Sequence, residues 1–352
     1  MALTFPTLDD FFAHGFDTVI DVRSPSEYVE DHVPGAISLP VLDDEERARV
    51  GTIYKQESPF LARKLGAALV FRNAADHIAG PLAHHEGGWK PLVYCWRGGQ
   101  RSGSFAWMLK EIGWRADSVQ GGYRSFRRLV NAYLYDAPLP HRLVLIDGNT
   151  GTAKTELLHV LARRGWQVLD LEGAARHRGS LLGGMGGQPS QKAFETILAG
   201  KLTAMDPSRP VLVEAESSKI GERIIPPALW APMKTAPRIE IGADMAARVA
   251  YLVAAYDDVL DDGPRLETLL WHLRELRGHE VVDSWLAHHA AGDKRGLTEA
   301  LMAQHYDPAY AKSRRAIGGA PMARVQAKAL DGPGIEALAG EVEAVLNGLR
   351  AG

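Results

Sequence analysis

Cys95 is the sole cysteine in a chain of 352 residues. It closes the apolar run Pro91-Leu92-Val93-Tyr94 and is followed by Trp96, Arg97, Gly98, Gly99 and Arg101, ahead of an amphipathic stretch. A glycine loop set between a strand end and a helix turns backbone N–H groups inward, and the helix N-terminus adds partial positive charge. The pattern therefore predicts a thiolate beside a bound anion. Arg97 and Arg101 strengthen both effects, and Cys95, Arg97 and Arg101 form the expected catalytic set. Two chemistries use such a loop. In one the thiolate attacks phosphorus, as the Cys-x5-Arg spacing of a phosphatase suggests; in the other it carries a sulfur or selenium atom, as a sulfurtransferase does. A single cysteine allows neither an internal disulfide nor a thiolate cage for a metal.

The second constellation is Gly148-Asn149-Thr150-Gly151-Thr152-Ala153-Lys154-Thr155, between the apolar run Leu143–Asp147 and an amphipathic stretch. The spacing is that of a Walker A loop, with Ala153 where the last glycine is expected. The amides of residues 151–155 should face a phosphate, Lys154 should reach an anionic oxygen, and Thr155 is the candidate ligand for Mg2+. Alanine costs little at 153 if it takes ordinary helical angles, but its methyl group would crowd a nucleotide, so phosphate binding is expected rather than ATP hydrolysis. Arg176, His177, Arg178 and Ser180, together with the glycine turn that follows, supply further anion contacts. Glu214 and Glu216 offer carboxylates at a strand end, and Glu214, which follows the apolar run directly, is expected at the substrate.

These residues need elements to hold them. Residues 17–24, 67–70 and 91–96 read as short buried strands separated by helical spacing, as do 142–147 and 210–214 further on. From residue 243 onward the pattern is helical, at 246–260, 265–278 and 335–350. Two prolines at 138 and 140 mark a seam. The expected organisation is an α/β domain over 1–135, a linker at 136–142, and a second α/β domain with a helical C-terminal portion over 143–352. No apolar stretch long enough to span a membrane and no leader-like N-terminus is present, so a cytoplasmic protein without membrane contact is expected. A net charge of −3 gives no general attraction to nucleic acid, so an RNA partner would depend on local patches. Arg124, Arg127 and Arg128, interleaved with Tyr123 and Phe126, and Arg314 and Arg315 beside Lys312 form such patches. Trp96, next to the thiol, is the candidate for stacking on an unpaired base.

The upstream segment "DVRSPSEYVEDHVPGAISLP" resembles the rhodanese signature, in which Asp21, Arg23, Glu27, His32, Pro34 and Gly35 are mostly structural. A rhodanese-like domain followed by a P-loop NTPase-like domain, with "YCWRGGQRSGS", "LEGAARHRGS" and "HYDPAYAKS", resembles the bacterial tRNA 2-selenouridine synthases over nearly the full length. The resemblance implies geranylation of a wobble 2-thiouridine from geranyl diphosphate and replacement of the sulfur by selenium from selenophosphate. It implies a tRNA partner, no tightly bound cofactor, and Mg2+ at most at Thr155. It also requires an apolar pocket for the geranyl chain, for which residues 228–233 and 271–278 are candidates. The residues by themselves leave two alternatives. One is a rhodanese-type sulfurtransferase or phosphatase that uses Cys95 alone; the other is a nucleotide-dependent RNA-binding protein or kinase that uses the P-loop alone.

Overall fold

The computed structural model describes residues 2–180, 183–184, 186–317 and 320–350, apart from the side chains of 313–317 and 349–350. The chain forms two units, one of residues 1–139 with 189–204, the other of 140–188 with 205–352. Among the described residues no helix is long and apolar enough to cross a membrane.

In the first unit the strands β1 (Ala2–Leu3), β2 (Thr18–Asp21), β3 (Ile37–Ser38), β4 (Pro91–Tyr94) and β5 (Asp117–Val119) form a parallel sheet in the order β1-β5-β4-β2-β3. Every residue of the central strand β4 is buried, as expected of an apolar run covered on both faces. The cysteine loop leaves its carboxyl end and enters the helix Gln100–Ile112, whose Phe105 and Leu109 are buried in the same core as Val93 and Cys95. The strand expected at 67–70 is instead part of the helix Pro59–Ala79. Ser58 caps that helix by accepting from the amides of Phe60 and Leu61, and Pro59 opens it. Four apolar residues carry no period of their own, so the cap, the opening proline and the alanines decide for helix.

The helix Gln191–Thr203 also belongs to this unit, so the expectation of one continuous domain over 143–352 fails. It packs on the helices Leu8–Phe12 and Gly122–Asn131. Its buried Phe194, Leu198 and Leu202 close the apolar core there. Its polar residues satisfy groups that the rest of the unit leaves buried: Glu195 pairs with Arg127, and the Thr196 hydroxyl donates to Asp31 at 3.0 Å.

In the second unit β6 (Leu143–Gly148), β7 (Gln167–Leu169), β8 (Val211–Glu214), β11 (Arg238–Gly242) and β12 (Ala323–Gln326) form a second parallel sheet, in the order β12-β11-β6-β8-β7. A short antiparallel hairpin, β9 (Lys219–Ile220) and β10 (Arg223–Ile224), follows β8. Strand β12 interrupts the region expected to be helical throughout; it is a four-residue edge strand, too short to announce itself by alternation. Strand β6 has β8 on one side and β11 on the other, so the chain reverses its direction of travel across the sheet there. The crevice beyond the carboxyl end of such a strand is where open α/β sheets bind ligands. Val144 and Ile146 face the helices Lys154–Arg163 and Gly332–Arg350, whereas Leu145 and Asp147 fall on the opposite face, where the helix Pro227–Met233 packs. A separate helical core gathers around the fully buried Trp285.

Candidate functional site

The Cys95 thiol is 1 % exposed. Its sulfur accepts a hydrogen bond from the Ser102 hydroxyl at 3.3 Å and lies 3.5 Å from the Arg97 carbonyl oxygen, so the loop folds over it. Gly98 and Gly99 both hold φ of 73°, with open space where a side chain would be. Arg97 is exposed. Arg101 is half-buried and pairs with Glu27 at 3.4 Å, and Arg47 reaches the same carboxylate at 3.0 Å. Burial alone would raise the Glu27 carboxyl, but Arg101, the Ser24 amide and Arg47 hold it below its ordinary value. Glu27, read from the sequence as a framework residue, therefore orients one of the two arginines beside the thiol.

The floor of this site is a buried polar stack. Asp21 accepts from Arg23 and from the Tyr94 hydroxyl at 2.7 Å, and the Arg23 guanidinium lies 4.0 Å from the centroid of Tyr123. Tyr123 in turn stacks on Trp96 with centroids 5.4 Å apart, and its hydroxyl donates to Asp31. One face of Trp96, the residue expected to stack on a base, is thus occupied within the protein. Of the expected RNA contacts on the helix Gly122–Asn131, Arg124 and Arg128 are exposed, whereas Arg127 turns inward to Glu195 and the Lys192 carbonyl. Arg127 is accordingly a structural ion pair, because Glu195 is buried and needs a cation. The side chains of Arg314 and Arg315 lie outside the described residues.

The start of this helix pins the cysteine loop: the amides of Tyr123 and Arg124 donate to the carbonyls of Cys95 and Trp96 at 2.8 and 3.2 Å. Gly122 makes the approach feasible, with φ of 58° and a would-be Cβ only 2.1 Å from the Cys95 carbonyl oxygen. Gly122→Ala should therefore destabilise the protein by about 3 kcal/mol or more, combining left-handed strain with displacement of the loop. Gly98→Ala, strained but unobstructed, should cost only about 1–2 kcal/mol. Denaturant melts of the two variants check this, and equal losses would show that the contact with Cys95 has no energetic weight.

In the second unit the phosphate loop leaves β6 and enters the helix Lys154–Arg163. Ala153 adopts φ 54° and ψ 36°, so the condition under which alanine costs little, ordinary helical angles, is not met. It stands in the left-handed region that glycine occupies at no steric cost, at about 1–2 kcal/mol for an alanine. The residue is 3 % exposed and belongs to the core behind the loop, and that burial offsets the strain. Lys154 is buried, and its ammonium donates to the Gly148 carbonyl at 2.8 Å, 5.5 Å from the centroid of Tyr310. Burial would lower its pKa, but the Tyr310 hydroxyl and the carboxylates of Glu216, Glu172 and Asp147 outweigh it and hold it above the ordinary value.

Beside the loop, the Thr155 hydroxyl donates to Glu172 at 2.9 Å. The carboxylates of Glu172 and Glu216 both converge on Gly179, whose missing Cβ would lie 2.5 and 2.9 Å from their oxygens. Burial and then the Glu172 charge push the Glu216 carboxyl up to about 8, and Glu172 is itself raised by burial. Thr155, Glu172 and Glu216 are hard oxygen donors of the type Mg2+ takes together with phosphate oxygens. Among the described residues no three His, Cys, Asp or Glu side chains make a metal cage by themselves.

Glu214 does not reach this site. It is the last residue of β8, fully buried, and accepts from the Leu171 amide at 3.0 Å; burial, with Asp170 and Glu172 nearby, raises its pKa well above the usual range. Glu214 is still inside the strand, its carboxyl buried against the Leu171 amide, and Glu216, two residues further on, takes the place expected of it. Of the four residues expected as anion contacts, Arg178 and Ser180 line the loop's cavity. Arg178 makes a bidentate pair with Asp258 over the Tyr256 ring, and the Ser180 hydroxyl meets Tyr256 at 3.1 Å. Arg176 is exposed at the end of the helix Leu171–Ala175, and His177 is half-buried; neither lines that cavity. Glu172, Arg248, Asp307 and Tyr310 escape the sequence reading. Arg248 donates twice to the Thr150 carbonyl, at 2.8 and 3.0 Å, and bidentately to Asp307, so a buried guanidinium ties the phosphate loop to the C-terminal helices. Tyr310 lies one helical turn beyond Asp307, in the stretch "HYDPAYAKS" that carries the family resemblance. Nothing in the local pattern marks Arg248, which sits on an amphipathic helix where a solvated cation is the ordinary reading.

The loop opens onto two cavities. The one over residues 150–156 has a volume of about 360 Å3 and also takes in Glu172, Arg178 and Tyr256. The other, about 690 Å3, runs past Asp147 and Leu145, on the face of β6 that the helix Pro227–Met233 covers, and is bounded by Trp230 and Met233 of that helix. The two share Thr150, Ser180 and Tyr310. Of the two segments expected near an apolar ligand, 228–233 thus contributes to a cavity wall, whereas the buried Leu273 of 271–278 belongs to the core around Trp285.

Residues 6–129 match the model of the rhodanese-like domain, and residues 141–264 match that of the tRNA 2-selenouridine synthase AAA domain. A protein of Verminephrobacter eiseniae named tRNA 2-selenouridine synthase is 34% identical over 369 aligned positions, covering 95% of each chain. Namesakes from Nitrosomonas europaea and Chromohalobacter salexigens are 36% and 38% identical, over 68% and 69% of this chain. Those matches span 63% and 66% of the relatives' own lengths.

Proposed function

The chain belongs to the tRNA 2-selenouridine synthase family, and from that premise we propose that it modifies the wobble uridine of tRNA, first geranylating a 2-thio sulfur and then replacing it with selenium. In the first step the sulfur attacks C1 of geranyl diphosphate: the S–C1 bond forms, the C1–O bond breaks, diphosphate leaves with the electron pair, and the N3 proton is released. The backbone amides of the P-loop and Lys154 are suited to the charge that develops on the leaving diphosphate. Mg2+, held by Thr155, Glu172 and Glu216, would neutralise part of the same charge.

In the second step selenophosphate and water deliver selenium to C2. The C–Se bond forms, geranyl thiol departs with one proton, N3 regains the other, and phosphate takes the oxygen. Alkylation is what makes the sulfur a neutral leaving group. Cys95 carries or orients the selenium, and Arg97 and Arg101 hold the anionic donor.

One observation carries this reading: the family's phosphate loop, with its lysine buried and hydrogen-bonded, opens on a second cavity large enough for an organic group. The test is mass spectrometry of nucleosides after the protein is incubated with 2-thiouridine-containing tRNA and geranyl diphosphate, with and without selenophosphate. The expected products are a geranylated base, converted to 2-selenouridine when selenophosphate is added. An unchanged base in both arms, beside an active control enzyme, would reject the reading.

A further inference from the structure

The two cavities at the phosphate loop differ in lining, and the difference assigns their contents. The larger one carries flat aromatic surfaces from Trp230 and Tyr306, but also the carboxylates of Asp147 and Glu216 and the hydroxyls of Ser217 and Thr235. A hydrocarbon chain laid there would exclude water from this polar edge and offer it no hydrogen bond in return. A pyrimidine has an apolar face to stack and a polar edge to hydrogen-bond, which is the combination this wall offers. At the same junction a third crevice of about 30 Å3 also touches Thr150 and Ser180, and its other neighbours include Leu252, Val259, Leu260, Leu301 and Met302. That crevice is too small for a ten-carbon chain, whereas the cavity of about 360 Å3 over the phosphate loop offers the prenyl group Tyr251, Leu252, Ala255 and Tyr256 beside the diphosphate site.

We propose that the cavity of about 690 Å3 between β6 and the helix Pro227–Met233 receives the extruded uracil-type base, with Trp230 as its stacking platform. The assignment rests on the transferase reading given above. The base then enters from one side of the Thr150, Ser180 and Tyr310 junction and the prenyl diphosphate from the other, so that sulfur and C1 meet where the cavities join. Lys234, exposed at the end of the helix Pro227–Met233, stands at the cavity rim, where a backbone phosphate beside the extruded nucleotide would need a cation. Trp230 is half-buried, with surface left for a base to cover.

The first test needs no catalysis. An anticodon stem-loop with 4-thiouridine at the wobble position is bound to the full chain and irradiated, and the adduct is mapped by peptide mass spectrometry. Adducts are expected within 227–238 or 305–310; adducts at 92–128, or anywhere outside this cavity, would overturn the proposal. Because the readout is a covalent adduct, it stands even if no transfer activity is found, which separates failure of the site from failure of the function.

The second test is kinetic. Trp230→Ala should raise KM for the RNA about tenfold, from the loss of one base–aromatic stack, with KM for geranyl diphosphate unchanged, and Trp230→Phe should restore most of the loss. A rise in KM for geranyl diphosphate instead would mean that the cavity holds the prenyl chain, and the proposal would be wrong.

Discussion

Lys154→Ala should slow geranyl transfer by about a hundred- to a thousandfold, the scale seen when one preorganised group is removed from a developing anion. The lysine is buried, and its ammonium is held against the Gly148 carbonyl at 2.8 Å, so its charge is already desolvated and aimed along the loop. Binding a diphosphate requires only that the ammonium exchange backbone carbonyls for phosphate oxygens, with little further loss of hydration. Tyr310, Glu216, Glu172 and Asp147 together keep it charged. Single-turnover assays with saturating RNA measure the effect, with Lys154→Arg to separate charge from shape. A rate unchanged in the alanine variant would remove the phosphate loop from the chemistry.

Cys95→Ser should abolish selenium incorporation and leave geranylation untouched. Serine keeps a partner for the Ser102 hydroxyl and nearly the same volume in a site that is 1 % exposed, so the fold should survive the change. It removes the polarisable atom that would carry selenium. Nucleoside mass spectrometry should then show the geranylated base accumulating when selenophosphate is present. Loss of both products would mean that the thiol serves the first step as well, and retention of both would make Cys95 a core residue only. For the thiol to act, the loop that covers it has to shift. Gly98 and Gly99 are the residues with room to do so, since nothing lies within reach of either Cβ position.

The cysteine loop and the phosphate loop were legible because each is a contiguous run between a strand and a helix, and local sequence specifies that geometry. What was not legible is carried by distant pairs. Arg248 and Asp307 lie far from Thr150 in sequence and meet it only through the tertiary fold. Glu172 became a site residue because the helix Leu171–Ala175 turns it toward Thr155. The choice of Glu214 over Glu216 failed by two residues: a strand end read from hydropathy does not say which carboxylate is the last one buried in the sheet. Ala153 shows a different limit. Composition flagged the departure from glycine but could not foresee that a buried methyl group would accompany a left-handed backbone. The strand expected at 67–70 failed because a short apolar run serves either element, and the cap that settled the matter lies upstream at Ser58.

The return of the chain to the first unit at 189–204 has a consequence for biosynthesis. A nascent chain released from the ribosome as far as residue 139 has all five strands of the cysteine-bearing sheet but lacks the helix Gln191–Thr203. Until that helix emerges, Asp31 has Tyr123 but not Thr196, and Arg127 has no Glu195. By then β6, the phosphate loop and β7 have already emerged, while β8, β11 and β12 have not. The two halves of this protein therefore mature in alternation during translation, and the cysteine unit reaches its final form only after the phosphate loop has left the ribosome.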